Sequence, residues 1–143
     1  MPQGPDAPTT SVLLIDGSKA QRAYWAAQLK LCSPDYQIVE ASDGQSGLAL
    51  YRSRRIDCVV LELSLPDHSG LQTLVELVPI ASRPQVAVIV FSLMTHRGVW
   101  EVAKQHGAYA CLAKQFTSGD HLDKEIQRAI EFVRLMRREQ QTA

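Results

Sequence analysis

The sequence predicts a doubly wound α/β domain: five short parallel strands, covered on both faces by five helices, in three layers. Three observations predict it. Five short apolar runs alternate with helical patterns along the 143 residues. The first, third and fourth runs are apolar at consecutive positions, as strands covered on both faces are. A helical pattern follows every run, and strand–helix alternation implies right-handed crossovers and a parallel sheet.

The first strand is Val12 to Ile15, within SVLLID. Ser18 to Leu31, rich in Ala, Gln and Leu, predicts the first helix with Ser18 as its N-cap. Ile38 and Val39, within YQIVEA, mark the second strand, and SDG opens a second helix from Gly44 to Arg52. The third strand spans Cys58 to Leu63, and the third helix spans Gly70 to Val78, stopped by Pro79. The fourth strand is QVAVIVFS, Gln85 to Ser92. The fourth helix starts near Thr95 and ends at His106, with Gly107 as its C-cap glycine. AYACLAK, ending at Lys114, is the fifth strand, and the last helix follows TSGD and runs to about Arg138.

Residues 1–10, MPQGPDAPTT, are Pro-rich and polar without an apolar signal-peptide core, and predict a flexible tail before a domain of residues 11–140. No segment is apolar for long enough to cross a membrane, so a cytoplasmic protein is expected. Fifteen basic and fifteen acidic residues cancel. A nucleic-acid binder needs a basic footprint, so neither nucleic acid nor membrane is expected as a partner. Cys32, Cys58 and Cys111 are far apart, and the expectation is three reduced core residues. No Cys or His pair has zinc spacing.

In open parallel sheets, chemistry collects at the carboxyl ends of the strands, beside a topological switch point. Asp16 stands there after the first strand, Glu62 after the third, Ser92 after the fourth and Lys114 after the fifth. Singly, each has an ordinary reading: a helix cap, a solvated acid, a turn residue, a surface cation. Together, in this order, they form a constellation.

With these residues the chain resembles the receiver domains of bacterial response regulators, from Val12 to the last helix. The stretches that carry the resemblance are VLLIDGS, DCVVLELSLPDHSGLQTL, VIVFS and GAYACLAK. It implies a flavodoxin-like sheet of order 2-1-3-4-5, with two helices on one face and three on the other, and a non-enzymatic signalling role. By resemblance, Asp16 is the first member of an acidic pair and Glu62 takes the phosphoacceptor's place. Ser92 and Lys114 match the residues that contact the phosphoryl group. A divalent ion, usually magnesium, bridges these acids in the family, so Asp16 and Glu62 are the candidate metal ligands.

Five departures qualify the resemblance: Gly17 for the second acid, Glu62 for the nucleophilic aspartate, Cys111 for a switching aromatic, Gln115 for a proline and Leu93 for a small residue. Magnesium demands near-octahedral oxygen ligation. Gly17 supplies no carboxylate, so magnesium binding is expected to be weak or absent. Glutamate extends the acid by about 1.5 Å, and an error of about 1 Å can lower the rate of phosphoryl transfer about 100-fold. The longer Glu62 is expected to accept hydrogen bonds from Ser92 and Lys114. Lys114 is expected to be held by both Asp16 and Glu62. The leading reading is a pseudo-receiver, an interaction module without a phosphorylation cycle. The alternative is a working phosphorelay receiver that uses Glu62 unconventionally. A haloacid-dehalogenase-type phosphatase is disfavoured because Leu14 stands where its nucleophile belongs, and a flavin site because DGSKAQ is too poor a phosphate loop.

The last helix carries one apolar stripe, Leu122, Ile126, Ala129, Ile130 and Val133, spaced to pack on the sheet, and a second set, Phe132, Leu135 and Met136. The second set is either irregular core packing or a docking seam. In the fourth helix, Val99, Trp100 and Val102 cannot all face the core, and an exposed Trp100 is the natural hot spot. The expected interaction face is therefore Trp100, Phe132, Leu135 and Met136, for a homodimer through the fourth and fifth strands and the last helix, or for a histidine kinase or output domain. Arg134, Arg137 and Arg138 are expected to complement the helix dipole.

Overall fold

The computed structural model describes residues 9–142. The strands are β1 (Ser11–Ile15), β2 (Gln37–Ala41), β3 (Cys58–Leu61), β4 (Ala87–Ser92) and β5 (Ala110–Ala113). The helices are α1 (Lys19–Cys32), α2 (Gly44–Ser53), α3 (Gly70–Leu77), α4 (Arg97–Gln105) and α5 (Gly119–Thr142). All strand pairs are parallel and the sheet order is β2-β1-β3-β4-β5.

The consecutive apolar positions have a two-sided cause. Val12 and Leu14 of β1, Cys58 and Val60 of β3, and Ala87, Ile89 and Phe91 of β4 face α1 and α5. Their neighbours Leu13, Ile15, Val59, Leu61, Val88 and Val90 face α2, α3 and α4. Each fully buried Leu, Ile or Val contributes about 1.5–3 kcal/mol. Both cores are built from such residues, and the cysteines among the described residues are unpaired.

Ser18 caps α1, its Oγ accepting from Gln21 N–H at 3.2 Å. Gly107 ends α4 with φ at +103°, a backbone that L side chains rarely adopt. Gly70 is required by close approach: a Cβ there would lie 2.5 Å from the Glu62 carbonyl oxygen, so α3 starts against the end of β3.

Some boundaries differ from expectation. β3 ends at Leu61, so Glu62 and Leu63 lie beyond the ladder. α4 starts at Arg97, because the His96 ring caps it by accepting from Val99 N–H at 3.3 Å. α5 begins at Gly119 and continues past Arg138 to Thr142, and a 3₁₀ turn, Lys114–Phe116, precedes it. Cys58 and Cys111 are buried as expected, but Cys32 is exposed at the end of α1. Residues 1–8 of the expected tail lie outside the described residues. Thr10, placed in that tail, already pairs with β2, its carbonyl accepting from Gln37 N–H at 2.8 Å.

Candidate functional site

Asp16 and Glu62 each follow the last residue of a central strand. Ile15 and Leu61 are register partners, and just past the ladder Glu62 N–H donates to the Ile15 carbonyl at 2.9 Å. Ser92 pairs with Ala113, which places Lys114 one residue beyond that row. The four strand-end residues thus share one edge of the sheet.

Lys114 reaches across this edge. Its side chain is 4% exposed, and its ammonium lies 6.0 Å from the Phe91 ring centroid. Nζ donates to Asp16 Oδ2 and lies 3.2 Å from Glu62 Oε1. The expectation that both carboxylates hold Lys114 agrees with this geometry. A charge this buried needs such pairing.

The remaining carboxylate oxygens are also occupied. Asp16 Oδ1 accepts from Ser18 N–H at 2.8 Å. Glu62 Oε2 accepts from Leu63 N–H at 2.6 Å and Ser64 N–H at 3.3 Å. All four oxygens therefore have a positively polarised partner within the protein. Ser92 differs from expectation. Its Oγ accepts from Met94 N–H at 3.0 Å, and among the described residues it makes no hydrogen bond to Glu62. The physical reason is the extra methylene of Glu62, which lets the carboxylate fold back onto its own loop, where two N–H groups point.

That loop is fixed. Ser64 and Ser69 form a bridge, and Gly70 N–H donates to the Leu63 carbonyl at 2.8 Å. Asp67 accepts from Gly44 N–H and Gln45 N–H, each at 2.9 Å, and so caps the start of α2. Burial raises the Asp67 carboxyl, but these backbone donors outweigh it and hold the group below its ordinary value. The His68 ring bridges Asp67 at 3.1 Å and Thr73 Oγ1 at 2.9 Å.

Two contributors were missed in the sequence. Arg22, nearly buried, donates to the Asp16 carbonyl at 2.6 Å and pairs with Glu40 at 3.3 Å. Its one visible signal is its place in the first turn of α1, just after the Ser18 cap. Pro66 packs beside Gly17: a Cβ on Gly17 would lie 3.1 Å from Pro66 Cδ and 3.2 Å from Cγ. An aspartate at Gly17 would have to push Pro66 aside.

The family's divalent ion does not fit this donor set. Only two carboxylates converge, Lys114 sits between them, and the Asp16 carbonyl is taken by Arg22. Among the described residues, no group of three His, Cys, Asp or Glu side chains could hold a metal.

The outer residues divide. Trp100 is half-buried against the α2–α4 core, and its Nε1 donates to the Met94 carbonyl at 3.1 Å. It pins the β4–α4 loop, and its ring is only partly exposed. Val102 on the same helix is exposed, in keeping with the divided faces. On α5, Phe132 is 45% and Leu135 47% exposed, while Met136 is half-buried. Phe132 stacks at 5.5 Å on Tyr109, which just precedes β5. Leu93, which stands where the family has a small residue, is exposed to solvent. Cys111 Sγ donates toward the Trp100 carbonyl at 3.7 Å, and burial pushes its thiol up to about 11.

The family model for the response regulator receiver domain matches residues 12–127. The nitrate/nitrite response regulator protein NarL of Escherichia coli strain K12 is 33% identical over 113 residues, which cover 78% of this chain and 51% of the relative. The transcriptional regulatory protein PdtaR of Mycobacterium tuberculosis strain H37Rv is 33% identical over 86 residues, covering 59% of this chain and 40% of the relative. The chain thus spans about half or less of the length of these curated relatives. Among solved structures, a response regulator receiver domain protein from Clostridium thermocellum has the same fold, with a TM-score of 0.76 and 24% identity, over 89% of this chain and 98% of that one.

Proposed function

The chain belongs to the response regulator receiver family, and we propose that within it this domain is a pseudo-receiver: an interaction module of a bacterial two-component pathway, with Glu62 as a fixed acid in place of the phosphoacceptor. One observation carries the reading. Every carboxylate oxygen of Asp16 and Glu62 has an internal partner, so the site is closed by the protein itself. A phosphoryl group and its metal would have to displace Lys114 and break the Glu62 loop contacts. Glu62 supplies one negative charge where a phosphorylated aspartate supplies roughly two. Lys114 is drawn toward the acids without any phosphodonor.

The domain carries out no chemistry of its own and acts in the cytoplasm. Its partners are a histidine kinase, an output domain or a second copy of the chain. The contact face comprises Phe132, Leu135 and Met136 of α5 with Tyr109, and Trp100 of α4 is a separate, partly exposed candidate on the α2–α4 side. Two half-exposed apolar side chains one turn apart suit an interface core. Light scattering at high protein concentration tests this. A self-associated species that is unchanged by acetyl phosphate and lost on Phe132→Asp with Leu135→Asp is the expected result. A monomer throughout, with no kinase or output domain bound, removes the reading's support.

A further inference from the structure

The arginines of α5 are not explained by the helix dipole. α5 runs to Thr142 and its last turn holds no basic residue, so Arg134, Arg137 and Arg138 all lie further in. Dipole stabilisation fades within the last turn. Arg134 is spaced i+3 and i+4 from the other two, and like charges at those spacings repel across a helix.

These side chains line a trough of about 420 Å³ at the amino-terminal edge of the sheet, opposite Asp16 and Glu62. Arg55, Ile56, Ile130, Arg134, Arg137 and Arg138 form most of it. Its floor is apolar: Ile56 and Val133 are buried and Ile130 packs against the α1–α5 core. Its cations are all guanidiniums. Two are held in place: Arg55 pairs with Asp57 at 3.1 Å, and Arg134 with Glu131 at 2.9 and 2.6 Å. Arg137 and Arg138 have no ion pair or hydrogen bond among the described residues. Asp57, the one acid in the lining, is already engaged, its Oδ2 accepting from Ser11 N–H at 2.8 Å.

We propose that this trough binds a nucleotide, its phosphates on Arg137 and Arg138 and its base on the apolar floor beside Arg55. The volume lies within the range of small-molecule sites. Guanidinium matches phosphate with two parallel hydrogen bonds and also stacks on flat rings, which lysine cannot do. A purely anionic ligand has no use for the Ile56 and Ile130 floor, and a purely apolar one has none for two uncommitted guanidiniums. The site is independent of the closed strand-end site, so either proposal can fail alone.

The test is fluorescence anisotropy of mant-labelled ATP with the full chain, with ATP, adenosine, pyrophosphate and a short single-stranded oligonucleotide as competitors. Saturable binding that ATP displaces far better than adenosine or pyrophosphate is expected. Arg137→Gln and Arg138→Gln should each weaken it about tenfold, as loss of a charge-assisted bond predicts, with an unchanged thermal midpoint. Four results overturn the proposal: no saturable binding; full binding by the double variant; pyrophosphate as effective as ATP, which leaves a bare anion patch; or an oligonucleotide more effective per nucleotide than ATP, which makes the face a nucleic-acid surface.

Discussion

Replacing Lys114 by methionine keeps the length of the buried side chain and removes its charge. Asp16 and Glu62 then share an edge without the cation between them, with side chains only 13% and 9% exposed. At 3.2 Å and an effective dielectric constant near 20, the attraction to Glu62 alone is about 5 kcal/mol before desolvation. The ammonium's own desolvation offsets part of that. Breaking a buried ion pair destabilises by about 3–5 kcal/mol. The carboxylates retain N–H donors from Ser18, Leu63 and Ser64, so the low end, about 3 kcal/mol, is expected. Urea unfolding checks this. With a slope of about 2 kcal/mol per molar, the midpoint should fall by about 1.5 M at constant slope. Adding Glu62→Gln should return part of the loss, since the double variant no longer holds two uncompensated acids. A midpoint shift below about 0.3 M, or strict additivity of the two substitutions, refutes the reasoning.

Two further outcomes follow from the same edge of the sheet. Asp67 is held below its ordinary value by the α2 N–H groups. It therefore contributes stability that is complete above its unfolded pKa of about 3.9 and fades as pH falls through the lower folded value. Asp67→Asn should flatten the acid limb of the stability profile below about pH 4, and parallel limbs for both proteins contradict the cap. For magnesium, calorimetric titration of the unaltered chain should show binding much weaker than a three-carboxylate site gives. Gly17→Asp with Glu62→Asp should strengthen it, more so with Pro66→Ala to relieve the 3.1 Å contact; tight binding by the unaltered chain contradicts the closed site.

The three central strands were legible because two-sided burial leaves a mark at every position: Val12 to Ile15 have no polar residue to spare. Ser18 and Gly107 were legible because a cap and a positive φ each narrow the residue choice. The Asp16–Lys114–Glu62 contact was legible because parallel strands bring their carboxyl ends together. Glu62's second oxygen was not. Its choice of Leu63 and Ser64 over Ser92 depends on a loop closed by the Ser64–Ser69 bridge and the Gly70 approach, and neither is a local signal. The Trp100 contact was hidden for a similar reason, because its partner is a backbone carbonyl in the preceding loop. Nothing in the sequence sets Asp123 apart from its solvated helix neighbours. It is buried, accepting from Ser33 at 2.9 Å and Gln127 at 3.1 Å, and ties the end of α1 to α5 across 90 residues of sequence.

Intact mass after incubation with acetyl phosphate or phosphoramidate and magnesium tests the central claim most directly. A site whose carboxylate oxygens are all engaged by Lys114, Ser18, Leu63 and Ser64 should show the unmodified mass alone, while a Gly17→Asp, Glu62→Asp variant under the same conditions should gain one phosphoryl group. A phosphoryl adduct on the unaltered chain that disappears in Glu62→Ala would contradict the account and make this domain a working receiver.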